Sequence, residues 1–144
     1  MAKRLVREII QRDRPLVGRP EDTVQAAAEE MAEHGCGSIL VCDGKELRGI
    51  FTERDLLVRV VAAGRDPART RLTEVMTREP DTIAGSKPVV EAVRKMDECG
   101  YRHLPVVEDD HLLGVISLRD VPLEIIARLE PELAQRHALA ERMW

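Results

Sequence analysis

Apolar positions along the chain fall into two alternating rhythms. Val24, Ala27, Ala28 and Met31 recur at three- and four-residue spacing, as do Val89, Ala92, Val93 and Met96, which predicts an amphipathic helix in each place. Shorter apolar runs follow, Ser38-Ile39-Leu40-Val41-Cys42 and Arg102-His103-Leu104-Pro105-Val106-Val107, and read as buried strands. Asp43-Gly44 and Glu108-Asp109-Asp110-His111 are polar turns, after which Leu47 to Thr52 and Leu112 to Ser117 return as partner strands. A helix closes each run, from Glu53 to about Ala62 and from Leu118 to about Leu129. Asp22 and Ser86 have the chemistry of helix N-caps, and Gly35 and Gly100 that of C-terminal stops. Pro15-Leu16-Val17 and Pro80-Asp81-Thr82-Ile83 open the two runs in extended form, because proline sets its own φ and biases its predecessor away from the α region. Pro122 falls in the first turns of the last of these helices, which leaves its start open between Ser117 and Asp120.

The two runs are copies of one pattern. Val24 and Val89, Ala27 and Ala92, Met31 and Met96, Gly35 and Gly100, Val41 and Val106, Gly49 and Gly114, Arg54 and Arg119, and Asp55 and Asp120 all match at an offset of 65 residues without a gap. A supersecondary unit duplicated in this way packs against its copy. The expected organisation is a first unit with its N-terminal segment over 1–64, a linker and short helix over 65–77, a second unit over 78–129, and a C-terminal helix over 130–144. Leu72, Val75 and Met76 form one apolar face of the short helix, and Ile9 and Ile10 take the same part before the first unit. Pro131 suits a first helical position, and Leu133, His137, Ala140 and Met143 give the terminal helix a weak apolar face.

Composition narrows the chemistry. Apolar residues make up 44% of 144 residues but aromatic ones only 2%, so an aliphatic core is expected, and the composition argues against an aromatic cage or base-stacking platforms. A net charge of -4 argues against a generally basic nucleic-acid-binding surface, although Lys3, Arg4, Arg7, Arg12, Arg14 and Arg19 make the N-terminus locally positive. No apolar run approaches the roughly 20 residues of a membrane span, and the N-terminus has no secretory h-region. Cys36, Cys42 and Cys99 are too few and too odd in number for a disulfide framework, which places the protein in a reducing cytoplasm. They show no zinc-ligand spacing with His34, and neither a nucleophile elbow nor a lysine-bearing phosphate loop is present. Binding, not catalysis, is the expectation.

These residues resemble the cystathionine-β-synthase-type (CBS) domain, present as a tandem pair from about residue 10 to 128. The second copy carries the resemblance in Thr82-Ile83, Val89, Ala92, Met96, Arg102 to Val107 and Gly114-Val115-Ile116-Ser117-Leu118-Arg119-Asp120. The first carries it in Val24, Ala27, Met31, Ser38 to Val41 and Gly49-Ile50-Phe51-Thr52-Glu53-Arg54-Asp55. The resemblance implies an α/β (α+β) fold of two pseudo-symmetric β-α-β-β-α units packed through their sheets, with two clefts between them. It implies a regulatory role, with no obligatory cofactor and with AMP, ADP, ATP or S-adenosylmethionine as ligand. It also implies a homodimer, the closed two-fold pairing that uncovered helical faces favour. A protein partner would read the ligand state.

Site residues follow from the same likeness. Asp120 and Asp55 either cap their own helices or accept two hydrogen bonds from a ribose diol. Ser117 and Thr52 offer hydroxyls at the same helix starts, and Arg119 and Arg54 offer charge-assisted contacts to a phosphate. The family pattern sets Arg102 and His103 near the phosphates. A protonated His103 would hold them best, which predicts affinity falling above about pH 6.5. Thr82, Ile83, Leu104 and Pro105 are carried over as walls for the base in one unit, and Val17, Ile39 and Leu40 in the other. Gly37, Ser38 and Leu40 stand where the second copy has Arg102, His103 and Pro105, so the two sites are expected to differ.

Overall fold

The computed structural model describes residues 4–10 and 15–129. In chain order the elements are α1 (Val6–Ile9), β1 (Val17–Gly18), α2 (Val24–His34), β2 (Ser38–Asp43), β3 (Glu46–Thr52), α3 (Glu53–Asp55), α4 (Leu72–Val75), β4 (Thr77–Arg78), α5 (Val89–Cys99), β5 (His103–Glu108), β6 (His111–Ser117) and α6 (Leu123–Ala127). The described residues form two compact units, 15–81 and 4–10 with 82–129. The expected helix from Pro131 lies outside the described residues.

In the 15–81 unit β1 runs parallel to β2, and β2 to β3 and β3 to β4 are antiparallel. The β2–β3 hairpin turns at Gly44, with Asp43 opposite Glu46. Helix α2 lays Val24, Ala27 and Met31 against Ile39, Val41 and Phe51, all buried. That is the three- and four-residue stripe meeting one face of a period-two strand. The other unit repeats the plan. β5 and β6 pair antiparallel, Ile83 bridges to Val106 in parallel, and α5 buries Val89, Ala92, Val93 and Met96 against Leu104, Val106 and Ile116. Asp109 and Asp110 turn this hairpin with φ of 50° and 62°, the left-handed pair that a tight two-residue turn uses. Burying each such Val, Leu or Ile contributes about 1.5–3 kcal/mol; the cluster of the second repeat is aliphatic, whereas that of the first departs from the expected aliphatic core by burying Phe51 completely.

The N-terminal segment does not accompany the first repeat as the sequence suggested. Helix α1 packs in the unit of the second repeat, where Val6 is fully buried and Ile9 and Ile10 lie against the same cluster. Backbone bonds fix it there, Val6 N–H to Lys87 O at 2.8 Å, Arg7 N–H to Gly85 O at 2.9 Å and Val89 N–H to Arg4 O at 2.9 Å. Helix α4 holds the matching place in the first repeat, through Val24 N–H to Thr70 O at 2.8 Å and Leu72 N–H to Asp22 O at 2.9 Å. The strands leave backbone groups at the starts of α2 and α5 that need partners, and the incoming segments supply them.

Helix ends follow the expected chemistry with shifts of a residue or two. Gly35 (φ 64°) and Gly100 (φ 75°) end α2 and α5 in the left-handed region. Thr23, not Asp22, caps α2, accepting from Ala26 N–H at 3.1 Å, while Asp22 accepts from Arg19 N–H at 2.9 Å. Pro88, not Ser86, precedes α5 and lends it no side-chain cap. The helix after Thr52 is α-wound only through Asp55 and then widens to π winding over Leu56–Val61. After Ser117 a single 3-10 turn, Leu118–Asp120, ends before Pro122, and α6 starts afresh at Leu123. Proline lacks the amide a continuous helix needs, so the chain breaks there.

Candidate functional site

In each unit the last strand of the hairpin ends on the hydroxyl residue and the next helix starts there. The 2.9 Å bond from Leu118 N–H to Arg102 O, and its repeat-related counterpart from Glu53 N–H to Gly37 O at 3.0 Å, tie each helix start to the strand beside it. Strand register sets His103 opposite Ser117 and Ser38 opposite Thr52. Arg102, His103, Ser117, Arg119 and Asp120 are thereby gathered in the second repeat, and Ser38, Thr52, Arg54 and Asp55 in the first. Both arginines after the hydroxyl, Arg54 and Arg119, are exposed and carry no side-chain partner among the described residues.

The two carboxylates are half-buried but differently engaged. Asp55 Oδ2 accepts from the Thr52 amide at 3.0 Å and from the Thr52 hydroxyl at 3.1 Å, and Thr52 Oγ1 accepts from the Asp55 amide at 3.2 Å. Its other oxygen, Oδ1, faces Arg59 Nε at 3.5 Å. Arg59 in turn donates through Nη1 to the carbonyls of Val75 and Met76, both at 3.1 Å. Asp55 is therefore a cap and an ion-pair member at once.

Asp120 Oδ2 accepts only the Ser117 amide, at 3.1 Å. Ser117 Oγ accepts from Arg119 N–H at 3.3 Å, and its own proton is given to no acceptor among the described residues. Burial pushes the Asp120 carboxyl above its ordinary value, and the Ser117 amide offsets part of that rise. A raised carboxylate with one oxygen unpartnered and a hydroxyl beside it is an acceptor–donor pair open to a ligand.

His103 departs from the sequence expectation. Burial first, then the charges of Arg102 and Arg119, hold it down to about 4, so it is neutral at pH 7. Arg102 and Arg119 both bear on the imidazole electrostatically, so positive charge at this corner comes from them and not from the histidine. The first repeat has Gly37 and Ser38 there and no such field.

Strand alternation sorts the residues carried over as base walls. Ile39 in one unit, and Ile83 and Leu104 in the other, belong to the packed cores. Leu40 and Pro105 lie one residue along, on the opposite sheet face. Register puts Val17, Leu40 and Ile50 in one row, and Thr82, Pro105 and Val115 in the repeat-related row. Val17 is exposed and Thr82 half-buried.

Two polar contacts escaped the sequence reading. Arg59 lies four residues after Asp55, the spacing of a helical ion pair, and that signal was readable. Lys95 Nζ donates to the carbonyl of Thr82 at 2.9 Å and anchors the extended segment that opens the second repeat. No local pattern announces it. The thiol of Cys42 is buried and pushed up by burial, which leaves it unreactive. Among the described residues no group of His, Cys, Asp and Glu gathers as a metal site would, and no helix is long and apolar enough to cross a membrane.

Two copies of a β-α-β-β-α unit, each bringing a hydroxyl and a carboxylate to a helix start beside its hairpin, define a duplicated α/β module. The CBS domain model matches residues 6–62 and 72–125, and the chain belongs to that family. An uncharacterised protein of Methanopyrus kandleri is 35% identical over 133 residues, covering 89% of this chain and 67% of its own. Two further curated relatives are longer, and the chain spans 15% and 24% of their length. Among solved structures, a Burkholderia ambifaria protein with CBS domains is 37% identical at a TM-score of 0.74, covering 83% of this chain and 87% of that one. A CBS domain protein of Pyrobaculum aerophilum, complexed with AMP, is 25% identical at a TM-score of 0.74, covering 94% and 98%.

Proposed function

We propose that the protein is a regulatory module that binds an adenosine-containing ligand, of the class AMP, ADP, ATP or S-adenosylmethionine, at the helix start of its second repeat. One observation carries this reading: the half-buried carboxylate of Asp120 keeps an oxygen unpartnered, next to an uncommitted Ser117 hydroxyl. Asp120 accepts the ribose 2′ and 3′ hydroxyls, Ser117 donates to a ligand oxygen, and Arg102 and Arg119 draw the phosphate into the electropositive corner. Thr82 and Pro105 border the base through backbone groups and their side of the strand. The AMP complex of the Pyrobaculum protein supports the ligand class. Calorimetric titration with AMP, ATP, S-adenosylmethionine and NADH tests it. Saturable uptake that disappears in Asp120→Asn is the expected result; uptake of none, or uptake indifferent to that substitution, refutes it.

Occupancy is read by a protein partner through a change between two states, which requires that the ligand bind one of them more tightly. The working form is a homodimer in a reducing cytoplasm, consistent with three unpaired cysteines. Support for pairing comes from the π-wound segment, where Leu57, Val58 and Val61 are 46%, 54% and 64% exposed, and from Leu123 at 73%. Apolar side chains so exposed favour cover by a second copy. Light scattering is expected to return twice 16.2 kDa, and a monomer contradicts the pairing. The same residues favour a second reading, a ligand-free interaction scaffold, since they are independent of Asp120. A nucleotide that raises the unfolding temperature separates the two, because binding to the native state must stabilise it.

A further inference from the structure

The repeat-related helix starts differ in winding, and only the first sets a cation against its aspartate four residues on. We infer that Arg59 determines how many ligands the chain holds: as resident counter-ion of Asp55 it takes the first repeat's carboxylate out of ligand recognition and leaves one site, at Asp120. This rests on the nucleotide reading above and adds its stoichiometry and the residue that sets it.

A ribose diol needs two free acceptor directions on a carboxylate. At Asp55 the Thr52 amide and hydroxyl use Oδ2, at 3.0 Å and 3.1 Å, and Arg59 Nε covers Oδ1 at 3.5 Å. Arg59 is not free to swing aside, because the Val75 and Met76 carbonyls hold its Nη1 at 3.1 Å each. Neutral sugar hydroxyls would have to compete for Oδ1 with an ion pair that is already in place and whose cation is anchored by two carbonyls. In the second repeat the position of Arg59 is taken by Glu124, which is exposed and can donate nothing to a carboxylate. Asp120 accordingly meets the Ser117 amide and no basic group among the described residues. The Thr52 hydroxyl proton is spent on Asp55, whereas that of Ser117 is not. Hydroxyl and carboxylate are thus both occupied in one repeat and both open in the other.

Calorimetry with AMP on the full chain tests this. The wild type is expected to take up one equivalent, Asp120→Asn none, Arg59→Gln two, and the double variant Arg59→Gln/Asp120→Asn one. Glutamine removes the charge and ends at about the place of Nε, short of the Val75 and Met76 carbonyls that Nη1 holds. Arg59→Met provides the same readout if glutamine unfolds the chain, and unfolding midpoints establish that each variant is native. Two equivalents in the wild type, one of them lost in Asp55→Asn, overturn the inference and leave the nucleotide reading standing. A native double variant that stays silent overturns it too. A wild type that takes up no AMP overturns both.

Discussion

The helix starts at Thr52 and Ser117 share a capping box and have opposite economies. Each strand ends on a hydroxyl, each helix begins with an arginine and an aspartate, and each aspartate accepts the amide of the hydroxyl residue. In the first repeat every polar atom of the pair is then satisfied by a neighbour, Arg59 being the last. In the second an oxygen and a hydroxyl proton are left over, and burial makes the charge uncomfortable. The lesson is that the motif alone does not make a site. A motif completed from within stabilises its fold, and the same motif left incomplete is what a ligand can finish.

The largest way to break the comparison is to remove one charge at a time. Asp120→Asn is expected to weaken AMP binding about 100-fold, the loss of two hydrogen bonds to a charged acceptor at about 1.5 kcal/mol each. Asp55→Asn should leave the dissociation constant within about twofold. Equal losses from the two substitutions would erase the distinction between the repeats.

Acid offers the next test. His103 is held at about 4 in the folded protein against about 6.5 in the unfolded chain, so between these values the unfolded chain binds the extra proton. Its contribution to stability is complete above pH 6.5 and is lost as pH falls toward 4, by about 2–3 kcal/mol. Asp120, raised by burial, has the opposite sign: its folded form holds a proton longer and gains on acidification just above the ordinary carboxylate range. Urea midpoints measured from pH 8 to pH 4 should therefore fall in the wild type and fall distinctly less in His103→Gln. AMP affinity should not decline as pH rises past 6.5, because the histidine is already neutral. A decline there would restore the protonated role that the sequence suggested.

Much of the fold was legible because its causes are local. The Val24-Ala27-Met31 and Val89-Ala92-Met96 stripes, the glycine stops and the paired apolar strands sit where their spacing put them. The period-two rule even sorts Ile39 from Leu40 and Leu104 from Pro105, once the core face is known. The placement of α1 was not legible, since Val6 meets Val89 across more than half of the chain and nothing near either residue announces the meeting. Nor was the protonation of His103, which depends on burial and on two arginines brought beside it by the hairpin and the following turn. Of the site, the aspartates and hydroxyls were visible as a repeated motif. That one pair is filled was hidden in Arg59, a residue readable only by extending the helical pairing rule past the motif itself.

Stability sharpens the comparison in the other direction. Asp55→Asn deletes a charge that faces Arg59 and accepts two hydrogen bonds from Thr52, so a loss of about 1–2 kcal/mol is expected from chemical denaturation. Asp120→Asn retains an acceptor for the Ser117 amide and removes a half-buried, unpaired charge. It should leave stability unchanged or raise it slightly, as open functional groups commonly do when neutralised. A substitution that costs binding without costing stability, beside one that costs stability without costing binding, is the signature of the two roles.

The smallest expected effect concerns Arg119. Its side chain is exposed and has no partner among the described residues, yet its charge reaches His103. A phosphate in that corner gains a solvent-screened contact of about 1 kcal/mol, so Arg119→Gln should weaken AMP about fivefold. Adenosine, which lacks the phosphate, should lose nothing, and the AMP difference should shrink between low and high salt because exposed charges are screened. Arg54→Gln provides the control in the first repeat. There Asp55 is filled and Gly37 and Ser38 bring no charge, so neither ligand should respond. If Arg54 and Arg119 mattered equally for AMP, the phosphate would be felt at both helix starts, and the electropositive corner made by Arg102 and Arg119 would not be what selects between them.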